Sequence, residues 1–170
     1  MEQSKILSLE KSTILVLVKL LALLGVIIIA PFFFNQAITG SVVNAILFIS
    51  VVIIGARRAV LLAVIPSLIA LSVSSLPWVL FPMVPFIMAG NIILIYVFDY
   101  ARKNNYWLAV ILASALKFVF LYSASFLVVN LIIKKQLAGT VSLMMSWPQL
   151  LTALAGGVIA YLFLKSIRKI

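Results

Sequence analysis

The chain has 170 residues, 66% of them hydrophobic and only 9% charged, with 13 Lys plus Arg against 3 Asp plus Glu. A mean hydropathy of +1.33 excludes a soluble domain of this length, which needs a charged exterior, so the chain reads as an all-α integral membrane protein. With no Cys and no His, thiol chemistry, disulfides and imidazole metal sites drop out, and basic residues scattered between apolar runs form no stripe for nucleic acid.

Breaks at charges, Pro, Gly and Asn predict a single compact domain of six apolar spans, each near the roughly 20 residues that cross a hydrocarbon core as a helix. The first, 13–34, is too long for the apolar region of a signal peptide and ends in the bulky run Pro31 to Phe34. Lys19 lies about two turns into it, close enough to the inner surface to snorkel there. The connection FFFNQAITGSVVNA then supplies Asn35, Gln36, Thr39, Ser41 and Asn44. These fit either a polar turn with interhelical hydrogen bonds or contacts to a ligand.

The second span, 38–55, closes on Gly55 and a very short turn carrying Arg57 and Arg58. The third, 59–75, leads into SSLPWVLFPMVPF (residues 74–86), whose three prolines predict a bend or a partly re-entrant backbone, tolerable only where protein or water covers it. The fourth span, 79–98, contains Asn91, read as a packing hydrogen bond. The fifth is 106–131 and the sixth, 145–164, opens with SWPQLLTALAGG. On this last span Gln149, Thr152, Ala153, Gly156 and Ala160 share one stripe, whose small residues allow close helix approach.

Orientation follows from the loop cations. With the N-terminus inside, the inner segments hold nine basic residues (Lys5, Lys11, Arg57, Arg58, Arg102, Lys103, Lys165, Arg168 and Lys169) and the outer ones two, Lys134 and Lys135. That asymmetry predicts both termini in the cytoplasm. Trp78 and Trp147 then fall near the outer interface and Trp107 near the inner one, as amphipathic rings prefer.

Lys117 interrupts AVILASALKFVFLYSASFLVVNLII near mid-span. A cation at that depth costs about 3 kcal/mol or more, so it faces the protein interior, a watery cavity or an anionic partner. A 100° step per residue groups Ser114, Phe118, Tyr122 and Ser125 with it in an arc of about 140°. The candidate substrate-binding set is therefore Lys117, Tyr122, Ser125, Trp147, Gln149, Asn35, Gln36 and Asn44. Packing explanations stand beside it: Lys117 bonded to a neighbouring helix, and Trp147 as an interfacial anchor. Glu2, Glu10 and Asp99 form no paired-carboxylate site, so no catalytic residue, metal or cofactor is expected.

The segment VNAILFISVVIIGARRAVLLAVIPSLIALSVSSLP, then PMVPFIMAGN and the late LLTALAGG, resembles the S components of energy-coupling factor (ECF) transporters over roughly residues 38–160. The shared pattern is a Gly-ended second span with a tight inner turn, Pro66, the Pro-rich outer loop and Gly90-Asn91. Gly55-Ala56 stands where members often have Gly-Pro, and the first span offers Ala22 and Gly25 rather than an Ala-x-x-x-Ala pair. The resemblance implies a non-catalytic substrate-capture subunit of an importer in a prokaryotic plasma membrane. It implies an outward-facing pocket for a vitamin or similar micronutrient, and association with a T component and two cytoplasmic ATPases. The absence of His argues against a metal cargo, and a carboxylated or phosphorylated organic ligand with a planar group would satisfy both the ammonium and the aromatics. Two other readings compete: a structural or assembly protein similar to the rod-shape-determining membrane proteins, and an intramembrane enzyme resting on Lys117 and Tyr122 alone. The first of these predicts a filled core with Lys117 bonded internally.

Overall fold

The computed structural model describes the backbone of residues 2–72, 78–131 and 135–170, with side chains there except at 2–12, 69–72, 78–79 and 135–137. Residues 74–77 of the expected Pro-rich bend lie outside it, as do Lys134 and the side chains of Lys5, Lys11, Trp78, Lys135, Glu2 and Glu10. Among the described residues every regular element is helical: α1 (Glu2–Phe33), α2 (Gln36–Ile54), α3 (Ala56–Ser72), α4 (Val84–Ala101), α5 (Tyr106–Leu131), α6 (Lys135–Met144) and α7 (Trp147–Ser166). A short 3₁₀ helix, Trp78–Met83, precedes α4. Among the described residues five stretches are long and apolar enough to cross a membrane: Thr13–Phe33, Gln36–Ile54, Leu80–Ala101, Tyr106–Leu131 and Ala138–Ser166. At 17 residues, α3 is shorter than these and near the lower limit for crossing.

The elements follow from local chemistry. Asn35 caps α2, its Oδ1 accepting from the Ile38 backbone N–H at 3.0 Å, and so turns the chain between α1 and α2. Gly55 alone separates α2 from α3; its φ of 86° is in the left-handed region that a side chain disfavours. Pro85 opens α4 and Pro148 opens α7, where no N–H is needed.

The most extensive helix contact is between α2 and α7, followed by α4 with α5. A Cβ at Gly156 would lie 2.8 Å from the Ala45 backbone N and the Ser41 carbonyl O, so α7 reaches α2 backbone to backbone. At Gly157 the Val110 side chain of α5 fills the same space, while the Tyr106 hydroxyl donates to the Gly157 carbonyl at 2.8 Å. These contacts close one half of the bundle around Phe48, Leu94, Ile95, Phe98 and Val110.

A second cluster joins the 3₁₀ helix and α6 to the later turns of α5, through Leu80, Met83, Leu121, Ala124, Val141 and Met145. The helix α6 is a departure from expectation: residues 135–144 were read as part of the outer connection. With Gly139 and Thr140 inside it and a turn at Met145–Ser146 after it, this helix packs against α5 and α7 and shapes the site described next.

Candidate functional site

At the end of the bundle formed by the α1–α2 corner and the α6–α7 turn lies a cavity of about 500 Å³. Exposed or partly exposed residues, among them Phe34, Gln36, Leu143 and Trp147, ring its mouth. Its floor is polar and buried: Asn44 from α2, Asn91 from α4 and Lys117 from α5, each no more than 3% exposed. From Gln36 at the rim to Asn44 is eight helical residues, a depth of about 12 Å.

The Lys117 ammonium is the hub of this floor. Its Nζ donates to Asn44 Oδ1 at 2.6 Å and to Asn91 Oδ1 at 2.7 Å. Asn91 passes the connection on, donating Nδ2 to the Ala63 carbonyl of α3 at 3.1 Å. Asn44 Nδ2 lies 3.5 Å from Thr152 Oγ1, whose hydroxyl donates to the Gln149 carbonyl at 3.2 Å; Gln149 Nε2 in turn donates to the Met144 carbonyl at 3.2 Å. One side chain thereby ties α2, α3, α4, α5 and α7 together and reaches the end of α6.

Charge compensation at the floor is incomplete. Of the three acidic residues only Asp99 has a described side chain, and it is bridged to Arg102 at 2.9 Å, so Lys117 has no carboxylate partner among the described residues. An ammonium carries three donors and two are engaged. Amide dipoles alone hold this buried cation on the wall of an open cavity, with one of its donors unengaged among the described residues.

The sequence-derived set divides cleanly. The structure brings Lys117, Asn44, Asn35, Gln36, Trp147 and Gln149 to the cavity wall. Tyr122 and Ser125 do not line it. Tyr122 is 54% exposed, its ring 5.9 Å from that of Phe118, because five residues beyond Lys117 it lies about 140° round the helix. Ser125 is buried beside Ala124 and Val128, its hydroxyl donating to its own helix at the Tyr122 carbonyl. Asn35 sits at the rim with its Oδ1 already committed to the α2 cap. The residues missed by sequence are Asn91, Thr152, Ser67 and the Leu143–Met145 turn, all on the wall. Asn91 does make the packing hydrogen bond expected of it, and holds Lys117 as well. Two helix prolines, Pro31 and Pro66, also face the cavity.

At the opposite end the chain is closed and aromatic. The rings of Phe48, Phe98, Tyr106, Trp107 and Tyr161 follow one another at centroid distances of 4.7–5.5 Å. Exposed Arg57, Arg58, Lys103, Lys165, Arg168 and Lys169 surround that end. Comparison with protein-family models, with curated proteins and with solved structures finds no match to this chain.

Proposed function

We propose that this protein is the substrate-capture subunit of an ECF-type importer, binding a small organic anion such as a vitamin in a pocket open to the outside. The observation that carries the reading is the Lys117 ammonium, without a carboxylate partner among the described residues, on the floor of a cavity of about 500 Å³, a volume in the range of small-molecule sites. The cations around the closed end support the orientation: by the positive-inside rule that end faces the cytoplasm and the mouth faces out. In this reading the cytoplasmic end docks a T component and two ATPases, which supply the energy, and the subunit itself catalyses nothing.

The test is ligand-dependent stabilisation of the purified chain in lipid nanodiscs across a panel of vitamins. A true ligand raises stability by RT ln(1 + [L]/Kd), about 2.7 kcal/mol at a hundredfold excess over Kd. Co-expression with T component and ATPases of ECF modules then asks for a stable complex. No stabilisation and no complex would rule the reading out.

A second reading, a structural or assembly protein, draws on the two short bonds that hold Lys117 internally. It predicts that replacing Lys117 disrupts a membrane complex while leaving uptake of small molecules untouched.

A further inference from the structure

The chemistry of the cavity wall narrows the cargo. Lys117 is the sole ionisable side chain among the described lining residues, so the described wall offers one positive charge and no second cation. One floor hydroxyl is also unengaged: Ser67 of α3 is 3% exposed, lines the cavity and makes no hydrogen bond among the described residues. Ser67 follows Ala63 by four residues, so it lies on the same face of α3, about 6 Å nearer the mouth than the carbonyl that holds Asn91. The floor therefore presents two free donors, the third N–H of Lys117 and the Ser67 hydroxyl. Above them the wall turns apolar, with Ile27, Pro31, Phe34, Ile87, Met144 and Trp147.

Resting on the capture reading, we infer that the cavity selects a monocarboxylic acid with an apolar or aromatic body. The carboxylate accepts from Lys117 and Ser67, and the body fills the upper wall below Trp147. One carboxylate cancels the single buried charge and supplies acceptors to both free donors. A phosphate monoester brings close to two negative charges at neutral pH, and the second finds no cation among apolar walls, where an unpaired charge is strongly disfavoured. The bidentate arginine fork that suits phosphate is also missing from the lining. A neutral amide leaves the ammonium without its counter-ion.

The experiment uses the full chain in nanodiscs and three matched probe series on phenyl, naphthyl and indolyl bodies: monocarboxylates, their primary amides and the corresponding phosphate monoesters. Calorimetric titration is expected to show carboxylates binding about tenfold or more tightly than either counterpart, the range of a hydrogen bond to a charged group. Ser67→Ala breaks no bond of the ligand-free protein, so it leaves the fold intact and weakens the carboxylates about tenfold. Lys117→Gln removes the charge and is expected to abolish the preference for carboxylate over amide. Phosphate monoesters or amides binding as well as carboxylates, or an unchanged affinity in Ser67→Ala, overturns the carboxylate assignment and leaves the capture reading standing. Silence from all three series and from the vitamin panel overturns both.

Discussion

The two halves of this bundle are built from the same helices and meet opposite requirements. In the closed half, α7 carries Gly156 and Gly157, and the missing side chains let it touch α2 and α5 directly. In the open half the same three helices carry Asn44, Thr152 and Lys117, and α1 and α6 supply apolar walls around empty volume. In the first half Tyr106 satisfies the Gly157 carbonyl sideways, while the close packing leaves the Ser114 hydroxyl buried with no hydrogen-bond partner among the described residues. The second half keeps a buried charge, which only a hydrogen-bonded network or a ligand makes tolerable. Stability and ligand chemistry are thus separated along one helix pair, little more than a turn apart between Thr152 and Gly156.

The strongest way to break that separation is Gly156→Leu. A Cβ there already approaches α2 backbone atoms to 2.8 Å, and a backbone cannot yield as a side chain does. We expect a loss of about 3 kcal/mol or more, read as a lowered Tm and aggregation in detergent. Asn44 rides on the displaced helix, so binding falls as well. Next, Lys117→Met leaves the Oδ1 atoms of Asn44 and Asn91 without their donor and is expected to cost about 1–3 kcal/mol. Adding Asn44→Leu and Asn91→Leu removes the stranded acceptors and restores much of that stability with binding still absent. Recovery of stability without recovery of binding, measured side by side, separates a ligand site from a packing device.

Smaller changes sharpen the contrast. Tyr106→Phe deletes the 2.8 Å bond to Gly157 at a cost of about 1 kcal/mol, and its effect belongs to melting curves alone, with ligand affinity unaltered. Trp147→Ala and Tyr122→Ala form the finest pair. Both rings are more than half exposed, yet only Trp147 borders the cavity. Titration of the bound ligand should register the first and miss the second, while both stay within about 0.5 kcal/mol of the parent in stability.

Much of the architecture was legible in the chain. The fifth helix runs over the residues its apolar length predicted, because an apolar run between Asn105 and Asn130, whose one charged residue is Lys117, leaves a helix little choice of ends. Lys117 stood out for a related reason, its cost in an apolar span. The site itself was only half legible. A helical wheel orders residues by angle without saying how wide the buried arc is, so it placed Tyr122 and Ser125 beside Lys117. Helix α6 was hidden because its ten residues are too few to cross a membrane and include Gly139 and Thr140. Asn91 and Thr152 looked like packing groups; that Asn91 holds Lys117 and that Thr152 lies against Asn44 depends on how the helices are brought together.

By itself the sequence determined that these segments are helices of near membrane length, that cations crowd one end, and that a lysine is committed to an apolar span. These are one-dimensional properties, set by transfer free energy and backbone hydrogen bonding within each segment. Tertiary structure alone decided that α7 lies on α2 at Gly156, that Asn44 and Asn91 converge on one ammonium, and that Ser67 is left with its hydroxyl free beside an open cavity. Those facts depend on distances between residues 26 or more positions apart in the chain, which no local preference encodes.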